Sequence, residues 1–155
     1  MNDIDETLGA PLPGAEDENG ARVWPYRVYY EDTDAGGVVY HSRYLNFFER
    51  ARTEWLRTCG VNHEEIRREK GIIFVVLDMH ITWKLAAKMD DILLVSAGPH
   101  PVSGVRMGFR QRMSRQRDGA LIAKADVTAA ILEIEKYRPV RIPAWIQEEL
   151  KKDNK

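Results

Sequence analysis

The chain has little to spend on crosslinks or on a membrane. A single cysteine, Cys59, stands among 155 residues, so no internal disulfide can form and a reducing, cytoplasmic setting is expected. No apolar run reaches membrane-spanning length, and the N-terminus is acidic where a signal peptide would be basic and then apolar. Repeats and low-complexity tracts are missing as well. The first 20 residues hold six acids and no base, which leaves residues 21–155 with 23 bases against 18 acids. That mild positive balance suits an anionic ligand and falls far short of the basic stripe of a nucleic-acid binder.

What is present describes one folded domain behind a polar leader. Hydrophobic content of 44% and charged content of 30% are those of a water-borne globular protein large enough for a core. Residues 1–22 mix Gly, Pro and acids without period and read as a disordered acidic extension to a domain over 23–155. "VWPYRVYY" (23–30) reads as a strand, with Pro25 tolerable near its start or on an edge. From Ser42 the period becomes helical: Arg43, Asn46, Arg50, Thr53 and Arg57 form a polar stripe opposite Tyr44, Phe47, Phe48, Ala51 and Trp55. Gly60 suits the left-handed end of that helix. Asn62 with Glu65 marks the start of a short helix that Gly71 closes.

After Gly71 the period is two. Ile73, Val75, Leu77, Met79, Ile81 and Trp83 alternate as one apolar face, and Val105, Met107, Phe109 and Met113 alternate with Arg106, Arg110 and Arg112. Turn signals at Ser103-Gly104 and Asp118-Gly119 make the last three long strands a meander, and "PAWIQEELKK" reads as a tail helix. The order of strand, long helix, short helix and four long strands predicts an α+β fold, an antiparallel five-stranded sheet wrapped around one long helix.

Several chemistries fail on spacing. "DTDAGG" opens like a calcium loop, yet the third ligand position is Gly36 and the twelfth is Arg43. The four histidines are scattered and "HEEIR" lacks the second histidine of a zinc-protease helix, so neither metal nor cofactor is expected. Cys59 at the C-terminal end of a helix gains no dipole to lower its pKa and reads as structural. Asp78 and His80 share a polar strand face, the pattern of a solvated surface. Glu49 lies eight residues past His41, about 12 Å along a helix, and reads as an ion-pair partner for Arg50 or Arg52.

The block around Asp34 is left. Two readings stand for it: a turn that uses Asp and Gly for their backbone habits, with Asp32 as a brace, or a carboxylate placed beside a helix N-terminus. Free N–H groups at such an end polarise a carbonyl oxygen. With a carboxylate that attacks, or activates water, they make the pair needed to hydrolyse an activated acyl group.

"RVYYEDTDAGGVVYHSRY" resembles the signature of the 4-hydroxybenzoyl-CoA thioesterase family of hotdog-fold proteins. Arg27, Val28, Thr33, Asp34, Gly37, Val38, Val39, His41 and Tyr44 meet each fixed position. "YLNFFERARTEWLR", "FVV" and "MDDIL" look like the Tol-Pal system-associated branch, and the resemblance spans about residues 23–142. The acidic extension and Ala86, where relatives commonly carry proline, depart from it. The resemblance implies an acyl-CoA thioesterase with Asp34 as nucleophile or general base. The helix start near His41 would polarise the thioester, and Gly37, Val38, Tyr40 and Tyr44 would contact substrate. It further implies a homodimer or homotetramer with sites between subunits, and CoA phosphates met by cations such as Lys136, Arg138 or Arg141. The alternatives are a non-catalytic hotdog scaffold for acyl carrier protein or envelope-associated partners, and a hotdog acyl dehydratase.

Overall fold

Alternation and turn chemistry are realised as one antiparallel sheet closed over one helix. The computed structural model describes residues 15–16, 21–100, 104–144 and 146–148. In chain order it has β1 (Ala15–Glu16), β2 (Arg22–Arg27), a 3-10 turn (Tyr30–Asp32), α1 (Arg43–Thr58) and α2 (His63–Lys70). Then come β3 (Ile72–Trp83), β4 (Ile92–Pro99), β5 (Arg106–Arg115), β6 (Leu121–Glu133) and β7 (Arg138–Val140). The sheet runs β1-β2-β4-β5-β6-β3, and β7 also pairs with β6. The five expected strands are its body; β1 and β7 are short additions. Residues 144 and 146–148 of the expected tail helix are helical, and the rest of that segment lies outside the described residues, as does Ser103 of the expected turn.

The pairing of Ala15–Glu16 with Val23 and Arg22 corrects the expectation of disorder at those positions. An open strand edge offers backbone donors and acceptors to any extended segment, whatever its side chains. Residues 1–14 and 17–20 of the extension lie outside the described residues. Pro25 pairs only toward β4, where β2 has passed the end of β1, so its missing N–H breaks no ladder on the open side.

The stripe on α1 falls as its period requires. Tyr44, Phe47, Phe48, Ala51 and Trp55 are buried, joined by Leu56. Trp55 meets Phe109 of β5 edge to face, centroids 5.5 Å apart. Cys59 caps the helix, Gly60 follows at φ +84°, Asn62 accepts from Glu65 N–H at 3.1 Å, and Gly71 closes α2 at φ +64°. Gln111 occupies a core-facing position of β5. It donates to the Phe48 carbonyl at 2.9 Å and the Ser96 carbonyl at 3.2 Å, and accepts from Arg52 at 2.9 Å. A buried amide is affordable here because each of its polar ends is used. This draws Arg52 inward, while Arg50 lies over the Phe47 ring and Glu49 accepts from the Thr53 hydroxyl at 3.0 Å. Among the described residues no ion pair within 4.0 Å joins Glu49 to either arginine, contrary to the sequence reading, although its charge still acts on Arg52.

The apolar face expected of β3 is also corrected. A bulge between Val76 and Asp78 shifts the register with β6 by one residue. Before it Ile72 and Phe74 pack on the core, after it Met79 and Ile81 do, and Val76 and Leu77 are left about half exposed on an edge that pairs with no other strand among the described residues. Asp78 and His80 are exposed, and so are Arg106, Arg110 and Arg112 on the outer face.

Candidate active site

Two loops meet where β2 hands over to α1. Thr33 and Val39 bridge, Asp34 N–H donates to the Val38 carbonyl at 2.9 Å, and Gly37 N–H donates to the Asp34 carbonyl at 3.0 Å. This is a hairpin closed by three residues, Ala35 to Gly37, of the kind that needs a left-handed residue in its last position. Gly37 supplies it at φ +79°. Gly36 matters for a different reason: a Cβ there would lie 3.1 Å from Asp34 Oδ1, so the carboxylate would have to give by a few tenths of an ångström. The neighbouring acid and glycine are thus one construction. Asp34 Oδ1 accepts from Gly36 N–H at 2.8 Å, while Oδ2 has no partner among the described residues and the side chain is exposed.

The second loop, residues 84–91, braces the first. Val38 bridges Lys88, and Val39 N–H donates to the Ala87 carbonyl at 2.8 Å. Ala87 N–H donates to the Tyr44 hydroxyl at 3.1 Å, Lys88 N–H to the Asp91 carboxylate at 2.9 Å, and Val28 exchanges backbone bonds with Asp90 and Asp91. Sequence reading missed this lacing. The Asp90-Asp91 pair, whose first member sits at φ +71°, was its one visible turn signal.

Helix α1 begins at Arg43, whose N–H reaches the Tyr40 carbonyl at 2.8 Å. Its N-cap, Ser42, makes no side-chain cap, and the N–H groups of His41 and Ser42 have no acceptor among the described residues. His41 is exposed with its ring against Tyr40, centroids 4.4 Å apart. Neither a hydrogen bond nor an ion pair joins it to Asp34 among the described residues. Gly37, Val38 and Tyr40 lie on the same hairpin, whereas Tyr44 is buried, 3% exposed, with its ring edge on Trp83 at 6.2 Å. Trp83, Leu85, Met89 and Tyr40 leave an apolar rim about half exposed around this junction.

Arg138 is not brought to this junction within the chain. β7 pairs with β6 at Glu133, ten residues beyond Ala123, the partner of Trp83. At about 3.3 Å per residue that is roughly 33 Å.

Residues 28–150 match the thioesterase-like superfamily. The chain belongs to that superfamily. An acyl-CoA thioesterase YbgC of Haemophilus influenzae is 47% identical over 124 residues, 80% of this chain and 90% of that protein. An Escherichia coli relative named acyl-CoA thioester hydrolase YbgC is 38% identical over 83% of this chain and 94% of its own. Among solved structures, a probable thioesterase from Bartonella henselae is 34% identical and superposes with a TM-score of 0.74 over 79% of this chain and 99% of that one. The 4-hydroxybenzoyl-CoA thioesterase of Pseudomonas sp. strain CBS-3, at 21% identity, shares the fold with a TM-score of 0.75 over 82% of this chain and 97% of its own. The architecture is the hotdog fold, as the signature implied.

Proposed function

We propose that this protein hydrolyses the thioester of acyl-CoA to a free acid and CoA at the junction of the Asp34 hairpin and α1. The observation that carries this reading is a carboxylate with one oxygen unpartnered among the described residues, on the hairpin that leads seven and eight residues on into the uncapped N–H groups of His41 and Ser42. The thioester carbonyl oxygen is taken by those donors, where the helix dipole adds to their pull. Asp34 then attacks the carbonyl carbon, or takes a proton from the water that does. The C–S bond breaks and CoA leaves as thiolate and is protonated; where water attacked, the acyl group is released directly as acid, and where Asp34 attacked, a water then hydrolyses the acyl-Asp34 anhydride to the acid and restores the carboxylate. The names of the Haemophilus and Escherichia relatives support acyl-CoA as the substrate; acyl carrier protein, a partner in this reading, would present the same thioester. Gly37, Val38 and Tyr40 face the substrate from the hairpin.

The working unit in this reading is a homodimer or an assembly of such dimers. Its support is the unpaired β3 edge, with Val76 and Leu77 at its middle. Two-fold pairing along that edge runs the strands in opposite directions and carries the partner subunit's Arg138 toward the Trp83 end, where CoA phosphates need a cation. No described helix is long and apolar enough to cross a membrane. A lone cysteine suits a reducing, cytoplasmic setting, and a place beside the Tol-Pal envelope system rests on the resemblance of the signature alone.

Thiol release measured over short, long and aryl acyl-CoAs tests the activity. Asp34→Asn keeps the shape and removes the base, so turnover should fall by about a hundredfold or more. A folded Asp34→Asn protein with full turnover overturns the role of Asp34.

A further inference from the structure

Tyr44 is the second residue of α1 and is buried, yet it is not merely packed. Its hydroxyl accepts the N–H of Ala87, 43 residues away. Ala87 is fully buried and is gripped on its other side as well, its carbonyl accepting Val39 N–H at 2.8 Å. Val38, next to Val39, accepts the N–H of Asp34. A continuous set of bonds therefore runs from the first turn of α1 through Ala87 to the residue before the Asp34 turn. We infer that Tyr44 is a positioning residue for Asp34: through Ala87, its hydroxyl sets how the Asp34 hairpin meets the N-terminus of α1.

The physical case rests on what the hydroxyl alone does. The ring is held by burial and by its edge contact with Trp83, so packing would survive its loss. The Ala87 N–H would not find another acceptor, because it is shut away from water. The loop must then move, and Val38 and Val39 are bonded to it. Burial, more than the Asp91 and Asp34 carboxylates, raises the Tyr44 pKa, so the hydroxyl stays neutral and available as an acceptor. The inference rests on the catalytic reading of Asp34, since a displaced hairpin matters to turnover only if Asp34 works there.

Tyr44→Phe is the test, read by amide hydrogen exchange and by steady-state kinetics on an acyl-CoA. The amides of Ala87 and Val39 should exchange faster while those between β5 and β6 keep their protection. The kcat should fall roughly 10- to 100-fold with KM within about twofold, as expected of a misplaced reacting group. In an Asp34→Asn background the same change should add no further loss. Unchanged exchange at Ala87 and Val39 overturns the latch whatever Asp34 does. Faster exchange with unchanged kcat, an effect on KM alone, or a full extra loss in the Asp34→Asn background overturns its action through Asp34. Full turnover by Asp34→Asn itself removes the catalytic reading, and with it the positioning role, while the exchange result still decides whether the latch exists. Should Tyr44→Phe fold poorly, 3,5-difluorotyrosine at position 44, measured at a pH well below the fluorinated phenol's own pKa so that the hydroxyl stays neutral, weakens the acceptor without deleting it. It should give smaller changes of the same sign, and no change would count against the latch.

Discussion

Asp32 and Arg43 face each other across the strand-to-helix junction, with carboxylate Oδ1 3.9 Å from the guanidinium Nε. The other carboxylate oxygen accepts Tyr29 N–H at 2.9 Å, the Asp32 carbonyl accepts Tyr40 N–H at 2.9 Å, and Arg43 also donates to the Glu31 carbonyl at 3.2 Å. Asp32 is only 4% exposed, so it braces the loop from inside. Asp32→Ala should lower unfolding free energy by about 2 kcal/mol, since it strips a charged acceptor from the part-buried bond to Tyr29 N–H and leaves Arg43 without its carboxylate. Asp32→Asn keeps one acceptor and should cost about half that, with turnover far less affected than by Asp34→Asn. Urea unfolding of the two variants, set beside thiol release, checks both statements. Equal stability of Asp32→Ala and the unaltered chain would remove the brace.

The two glycines of the hairpin should fail differently. Gly37→Ala puts a side chain at φ +79° and should cost about 1 kcal/mol of stability. Gly36→Ala has no such backbone conflict but brings a methyl to 3.1 Å from the Asp34 carboxylate. Its loss should appear mainly in kcat. Melting temperatures and rates for both variants separate the two, and a Gly36→Ala protein with normal kcat would contradict the crowding of Asp34.

Acid should weaken the fold through His63. Its ring lies against Phe74, centroids 5.2 Å apart, and burial pushes its pKa below the ordinary histidine value; Glu49 opposes this and Arg57 adds to it. The folded chain therefore takes the proton less readily than the unfolded one. The stability concerned is complete above the unfolded pKa of about 6.5 and is lost as pH falls from there toward the lower folded value. Urea midpoints from pH 8 to 5 should decline more steeply for the unaltered chain than for His63→Gln. Parallel declines would show that His63 is not the group.

The edge of β3 can be tested with one charge. Leu77→Lys sits on an exposed position, so the fold should persist, while two lysines near a two-fold axis should repel. Sedimentation velocity should show a monomer with depressed thioesterase turnover. An intact dimer would move the interface away from this edge.

Much of this fold was legible because its signals are local. The stripe on α1, the glycines at 60 and 71 and the Asn62 cap each depend on neighbours within one turn, and each stands where its pattern put it. The Asp34 hairpin was legible for the same reason. Gln111 was not, because its three partners come from α1 and β4 and no spacing announces them. Glu49 misled because helix spacing offers two arginines, whereas Arg52 is drawn inward to the sheet and Arg50 onto Phe47. The bracing of the site by Ala87 was hidden likewise, since an alanine in a loop carries no mark of a buried peptide bonded on both sides.

The extra residue in β3 acts as a phase boundary written into the chain. Ahead of Leu77 the even-numbered positions point inward, and beyond it the odd-numbered ones do. Flattening the bulge with every residue kept would carry the first phase onward and turn Asp78 and His80 toward the core, whereas deleting one residue there would leave a plain alternation with Met79 and Ile81 still inward. Substitutions on the two sides of the boundary therefore obey opposite rules. A charge that is harmless at 80 has its counterpart at 73 or 75, and relatives aligned by hydrophobic pattern alone read inside out for half of this strand.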